Sequence, residues 1–347
     1  MNKVSVVIPS YNHRVYIGKA IDSVLTQSHE DLELIVIDDG SSDDSLEYLR
    51  EIKDPRYTLV EQANAGAHNA INRGLDLATG NYLAILNSDD IFHPDRLKRC
   101  LEAMRANDSE LVTSWIEVIN QQGQPLGVKQ GWQNMLPWPI ADLKNSFAGT
   151  NSFELNLFVS NFVSTTSNML FTRNLYKTIG GMRNLRFAHD WDFMFRAVQQ
   201  FRCSLIESPL MQYRIHGSNT ISSNRAWMLF EICWVLASGM RRLESSLFYT
   251  GTDHQQWMRD AERIYNSVNL QGNDKIYWMI RQFVDVQEKQ GNTDAELLLL
   301  DDAELRQAFI RHIVTGADGA PTNSAQTAGT ENVISRLKRR LRQSLKS

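Results

Sequence analysis

The first hundred residues alternate between short apolar runs and segments of helical period, and that alternation leaves few folds open. Residues 4–8 form an unbroken apolar-rich run bounded by Pro9, the pattern of a strand covered on both faces. From Tyr16 onward, Ile17, Ala20, Ile21, Val24 and Leu25 fall at helical spacing. Residues 32–37 read as a second strand, and Asp43 opens a helix with Leu46, Leu49 and Ile52 along one face. Residues 57–60 read as a third strand, followed by a helix carrying Ala67, Ala70, Ile71, Leu75 and Ala78 and ended by Gly80. Residues 82–86 are a fourth strand, and Pro94 starts a helix with Leu97, Leu101 and Met104 inward. Such alternation implies right-handed crossovers and an α/β fold: a doubly wound, mostly parallel sheet with helices on both faces.

After residue 110 the rhythm breaks. Residues 111–119 read as a strand, but 121–161 are rich in Gly, Pro, Trp and Asn without a clear period, which predicts a functional loop region. Regularity returns with a strand at 168–172, a helix at 190–201 and an edge strand near 204–207. From Arg225 to about Val314 the pattern is helical, and 316–330 have linker composition. Near the C-terminus Val333, Ile334, Leu337, Leu341 and Leu345 make an apolar stripe opposite Arg336, Lys338, Arg339, Arg340, Arg342 and Lys346. A helix of this kind suits peripheral contact with an anionic membrane surface, with a solvated or oligomer-forming helix as the alternative. The expected organisation is a domain over 1–220, split into a nucleotide-binding half (1–110) and an acceptor half (111–220). A helical region (221–315), a flexible linker (316–332) and the basic amphipathic helix (333–347) follow.

Length and charge narrow the function. A chain of 347 residues has room for roughly two domains. A formal net charge of −4 argues against a general nucleic-acid binder. Cys100, Cys203 and Cys233 are far apart with no CxxC pair, so neither a disulfide framework nor a zinc site is expected, in keeping with a reducing cytoplasm. The run before Pro9 is too short for a signal peptide. The most apolar stretch, 227–240, is interrupted by Glu231 and falls short of the roughly 20 residues a membrane span needs.

In open α/β sheets, ligands bind beyond the carboxyl ends of the strands. Three such ends carry polar clusters: Pro9-Ser10-Tyr11-Asn12, Asp38-Asp39-Gly40-Ser41 and Asn87-Ser88-Asp89-Asp90. Singly these are ordinary helix caps. Three on one edge point to a nucleotide site. Tyr11 offers a flat face for a base and Asp39 an acceptor for a ring N–H. The carboxylate pair suits a hard divalent cation, Mn²⁺ or Mg²⁺, shared with phosphate oxygens. A nicotinamide dehydrogenase is excluded, because the segment after the first strand has no glycine before Gly18 and so no GxGxxG turn.

Residues 4–12 (VSVVIPSYN), 36–43 (VIDDGSSD), 64–80 and 86–91 (LNSDDI) resemble, in order and spacing, the inverting family 2 glycosyltransferases of the GT-A fold. The resemblance covers about residues 1–220. It implies a base pocket at Pro9 and Tyr11, a uracil contact at Asp39, and nucleotide contacts at Asn12, Asn72 and Asp89, with the metal on Asp90. Asn87 stands where many members have Asp, and Ile71 where many have Arg. Residues 180–196 (GGMRNLRFAHDWDFMFR) resemble the family's acidic segment before a helix. On that alignment Asp190 is the catalytic base, His189 replaces a frequent Glu, and Arg196 orients the base. Without the resemblance, Asp190 is a helix cap and Asp192 a first-turn carboxylate favoured by the helix dipole. Residues 213–220 resemble a loop that folds over the diphosphate, which makes His216 a second metal ligand. The family implies transfer from a UDP-sugar to a saccharide or lipid-linked acceptor, in bacterial cell-surface polysaccharide synthesis (O-antigen or capsule) at the inner membrane face. A non-catalytic sugar-nucleotide-binding protein is the alternative.

Overall fold

The computed structural model describes residues 2–133, 135, 140, 142–217, 224–247 and 253–315. The linker and basic helix expected over 316–347 lie outside the described residues.

The chain opens with β1 (Val4–Ser10), α1 (Arg14–Leu25), β2 (Leu32–Asp38), α2 (Ser45–Glu51) and β3 (Tyr57–Glu61). Next come α3 (Ala67–Leu77), β4 (Tyr82–Ile85), β5 (Ile91–Phe92) and α4 (Arg96–Asn107). β1 pairs in parallel with β2 and β4, and β2 in parallel with β3. The unbroken apolar runs follow from coverage on both faces. Val7, Ile35, Ile37, Leu83 and Ile85 belong to one buried cluster, whereas Val6, Ile8, Leu34, Val36 and Ala84 belong to another. Alternation along each strand sends neighbours to opposite faces, so both sets must be apolar. α1 and α4 bury Ile17, Ala20, Leu97 and Leu101 in the second cluster, and α3 buries Ala70 and Leu75 in the first. Gly74 lets α3 come close to β1, since a Cβ there would lie 2.3 Å from Val7 Cγ1.

Beyond residue 110 lie β6 (Leu111–Ile119), β7 (Pro125–Lys129), α5 (Phe153–Val159), β8 (Leu170–Thr172), α6 (Arg173–Ile179), α7 (His189–Val198) and β9 (Cys203–Arg214). Among the described residues the strand order is β3-β2-β1-β4-β8-β6-β9-β5, with β7 paired to β6. β8 runs antiparallel to both of its neighbours, and β6 and β9 are parallel. The strand expected at 204–207 is longer and is not an edge, because β9 pairs with β6 on one side and β5 on the other. Its pairing with β6 skips from Ser114–Ile206 to Trp115–Pro209. Proline cannot donate to the ladder and sits at this irregularity, so the sequence pattern stops short although the strand continues. The aperiodic stretch 121–161 contains β7 and α5, the latter held by buried Phe153, Leu157 and Phe158 and by Ser152, which accepts from the Leu155 amide.

The C-terminal helices α8 (Arg225–Leu247), α9 (His254–Ser267), α10 (Asp274–Lys289), α11 (Ala295–Asp301) and α12 (Ala303–Ile310) complete the described chain. Phe230, Trp234, Ile264, Ile280 and Phe309 join the same buried cluster as α3 and the adjoining sheet face. Among the described residues no helix is long and apolar enough to cross a membrane.

Candidate active site

The carboxyl ends of β1, β2 and β4, the start of α7 and the end of β9 border one cleft of about 930 Å³. Pro9, Tyr11, Asp39, Asp89, Asp190 and His216 all line it. Tyr11 is 47% exposed, leaving its ring open to a ligand. Asp39 is fixed from behind: Oδ1 accepts from Gln62 Nε2 at 2.7 Å and the Ala65 amide at 2.8 Å, and Oδ2 from the Gly66 amide at 2.9 Å. The turn behind it requires Gly40, whose φ is +77° and where a Cβ would lie 2.9 Å from the Asn64 nitrogen.

His216 Nε2 and Asp89 Oδ2 lie 2.8 Å apart. His13, on the chain leaving β1, brings its ring centroid to 5.9 Å from that of His216, and its Nδ1 lies 2.6 Å from Ser88 Oγ. Ligand atoms of His13, Asp89 and His216 all fall within 4.8 Å of one another. Burial lowers the His13 pKa, which keeps the ring neutral and able to ligate. Tyr16 stacks on His216 at 5.0 Å, and the Arg214 guanidinium lies over Tyr16 at 5.1 Å.

Two residues expected at the ligand do not line the cleft, and a third lines it with its side chain engaged elsewhere. Asp90, expected to hold the metal, is 1% exposed and turns inward: Oδ1 accepts from the Arg214 amide at 3.0 Å and Oδ2 from Ser167 Oγ at 2.6 Å. Burial and neighbouring Asp89 push its carboxyl well above the usual range. Asn72 is not among the cleft-lining residues. Its side chain accepts from the Met182 amide at 2.7 Å and donates to the Met182 carbonyl at 2.8 Å, tying α3 to the segment before α7. Asn12 borders the cleft, but its Oδ1 accepts from the Ser42 amide at 2.7 Å and so braces that loop. Ile71, at the position of the family's arginine, is wholly buried.

Asp190 is the second residue of α7 and opens on the cleft. Its Oδ1 accepts from the Trp191 amide at 2.8 Å and its Oδ2 from Asn161 Nδ2 at 3.0 Å. Arg196 does not orient it. That guanidinium donates to Asp192 Oδ2 at 2.9 Å and to the carbonyls of Ile179 and Gly181. Burial works to raise the Asp192 carboxyl, but Arg196 and Arg183 outweigh it and hold the pKa below its ordinary value. Asp192, 1% exposed, is therefore a structural ion pair facing away from the cleft.

The sequence profile of glycosyl transferase family 2 matches residues 5–180, about half of the chain. This chain belongs to that family. An uncharacterized glycosyltransferase of Haemophilus influenzae is 31% identical over 231 residues, a match spanning 63% of this chain and 67% of the relative. A putative teichuronic acid biosynthesis glycosyltransferase of Bacillus subtilis is 38% identical over 126 residues, covering 35% of this chain and 50% of the relative. The chain thus spans half the length or less of some of the curated relatives it matches. The solved structure of S. aureus TarS 1-349 in complex with UDP-GlcNAc superposes with a TM-score of 0.51 at 18% identity, over 88% of this chain and 92% of that one. At that identity the likeness speaks for the fold, which is of GT-A type.

Two residues that build this glycosyltransferase's site, one lining the cleft and one bonded to Asp190, carry no signal in the sequence. His13 reads as an ordinary residue before a helix, and a lone histidine gives no ligand signal until His216 arrives from β9. Asn161 ends the aperiodic stretch, where no spacing relates it to Asp190. The carboxyl end of β4 carries a related departure: Asn87, standing where many relatives have Asp, donates to Thr165 Oγ1 at 2.9 Å and accepts from Thr166 Oγ1 at 2.9 Å. A neutral amide suits those two hydroxyls, since it offers both a donor and an acceptor.

Proposed function

We propose that this glycosyltransferase moves a sugar from a UDP-sugar to an acceptor hydroxyl with inversion at the anomeric carbon. The observation that carries the reading is that Asp190 and the His13–Asp89–His216 cluster line the same cleft. Asp190 has no cationic partner within ion-pair distance among the described residues, and Asn161 and the Trp191 amide hold it at the cleft wall, where it is largely buried. Its carboxylate takes the proton of the acceptor hydroxyl as that oxygen bonds to the anomeric carbon. The bond from that carbon to UDP breaks on the opposite face, and its electron pair leaves with UDP.

Two imidazoles and one carboxylate within 4.8 Å of one another fit a divalent cation. That donor set suits Mn²⁺ better than Mg²⁺, which prefers oxygen ligands. A cation held by His13, Asp89 and His216 would supply positive charge to the departing diphosphate. Ile71 replaces the family's arginine and is wholly buried, so that position adds no charge of its own. Tyr11 stacks the base, and Asp39, braced by Gln62 and two amides, accepts from the uracil.

The UDP-GlcNAc held by TarS supports a UDP-sugar donor, and the Bacillus relative's role supports a cell-surface polysaccharide as product. The acceptor is then a saccharide or a lipid-linked saccharide, with residues 333–347 holding the enzyme against an anionic inner membrane face. A panel of nucleotide sugars, with and without saccharide acceptors, tests the reading through released nucleotide. UDP release that depends on donor and is abolished in Asp190→Asn is expected. Tight UDP binding without turnover of any donor would instead make the chain a sugar-nucleotide-binding protein.

A further inference from the structure

Glu231 interrupts the most apolar stretch of the sequence, and the structure shows what it meets. It lies on α8, is 1% exposed, and accepts three backbone N–H groups. Oε1 takes the Arg186 amide at 2.8 Å; Oε2 takes the Phe187 amide at 2.7 Å and the Ala188 amide at 3.1 Å. Among the described residues no lysine, arginine or histidine pairs with it.

Those amides belong to the irregular segment between α6 and α7. Arg186 and Phe187 line the cleft, and Asp190 follows Ala188 by two residues. α7 has no side-chain cap at Ala188, and at its entry His189 Nδ1 lies 3.2 Å from the Leu185 carbonyl oxygen. Three bonds to one carboxylate fix both the position and the direction of this backbone. Burial pushes the Glu231 carboxyl up, to about 7, while the three amides pull it the other way.

We propose that Glu231 is a positioning residue for transfer, clamping residues 186–188 from the C-terminal helical region so that Asp190 and the Arg186–Phe187 wall face the acceptor in fixed register. The inference rests on Asp190 acting as the base. Misplacement of a reacting group by about 1 Å is enough to cost on the order of 100-fold in rate. The device also joins two parts of the chain: the profile match ends at residue 180, and Glu231 lies beyond it.

The test uses the full chain and two kinds of readout. Amide hydrogen exchange in the wild-type protein should show residues 186–188 protected despite their irregular backbone. In Glu231→Gln, which keeps the shape but replaces one acceptor oxygen by a donor, those amides should exchange roughly tenfold faster or more. Turnover in that variant should fall about tenfold or more, with UDP–Mn²⁺ affinity within about twofold of wild type. Glu231→Asp, which keeps the charge on a shorter arm, should recover part of both losses. Unprotected wild-type amides overturn the clamp, and that measurement stands even if Glu231→Gln does not fold. Faster exchange with unchanged kcat, or a loss of UDP affinity matching the loss of kcat, overturns the positioning role. Asp190→Asn assayed alongside separates the two readings: if it keeps turnover that Glu231→Gln loses, the base assignment falls and the clamp remains.

Discussion

Asn161 donates its side-chain amide to Oδ2 of Asp190 at 3.0 Å, from a part of the chain 29 residues earlier. The bond holds one carboxylate oxygen while the Trp191 amide holds the other. Asp190→Asn is expected to lower kcat by about 10²–10⁴-fold with UDP affinity within a few-fold, the pattern of a lost general base. Asn161→Ala should lower kcat less, by roughly tenfold, because it loosens the base without removing it. Single-turnover rates with UDP titrations decide this. Near-normal kcat in Asp190→Asn would move the base elsewhere.

Asp89 and Asp90 are neighbours with opposite surroundings, so their substitutions should separate. Asp89→Asn and His216→Ala are expected to weaken Mn²⁺-supported UDP binding, as EDTA should in the wild-type protein. Asp90→Asn should act chiefly on stability, because its carboxylate accepts from the Arg214 amide and Ser167 inside the protein. Calorimetric titration of UDP with Mn²⁺ and with EDTA gives the comparison. Equal affinities in the two conditions would remove the metal from the site.

Asp192→Ala should destabilise by about 3–5 kcal/mol, since it leaves Arg196 buried without its partner. Denaturant unfolding measures the loss. A change below about 1 kcal/mol would show that the backbone carbonyls around Arg196 satisfy it alone.

Acid sensitivity should trace in part to Glu33. Burial works to raise its carboxyl, but Ser5, Lys3 and Thr79 donate to it and bring the pKa down to about 2 from 4.5. A carboxyl depressed on folding stabilises fully above its unfolded pKa, and that contribution disappears as pH falls from 4.5 towards 2. Glu33→Gln should therefore be less stable than wild type at neutral pH, with the gap closing through that window. Parallel Tm–pH curves for the two proteins would contradict it.

By itself the sequence determined the β3-β2-β1-β4 part of the sheet and the polar clusters at its carboxyl edge. β1, β2 and β4 are apolar on both faces because helices cover both, and that burial is written as continuous apolar runs. The polar clusters at their ends had to sit on one edge, because parallel strands present all their carboxyl ends together. Asp39 and Asp89 were legible for that reason, and Asp190 through the resemblance of residues 180–196 to the family's acidic segment. What the tertiary structure decided was which polar atom faces which partner. Asp89 and Asp90 are equivalent to any local pattern, and they differ because Arg214, 124 residues later, brings its amide to Asp90 while His216 comes to Asp89. Asp192 is fixed by Arg196 within its own helix and by Arg183 before it, which turned the arginine away from Asp190. Asn161, His13 and Glu231 carry no periodic signal, because their partners lie on elements distant in sequence. Periodicity records how a segment is buried, whereas hydrogen-bond partners depend on which segments the packed core brings together.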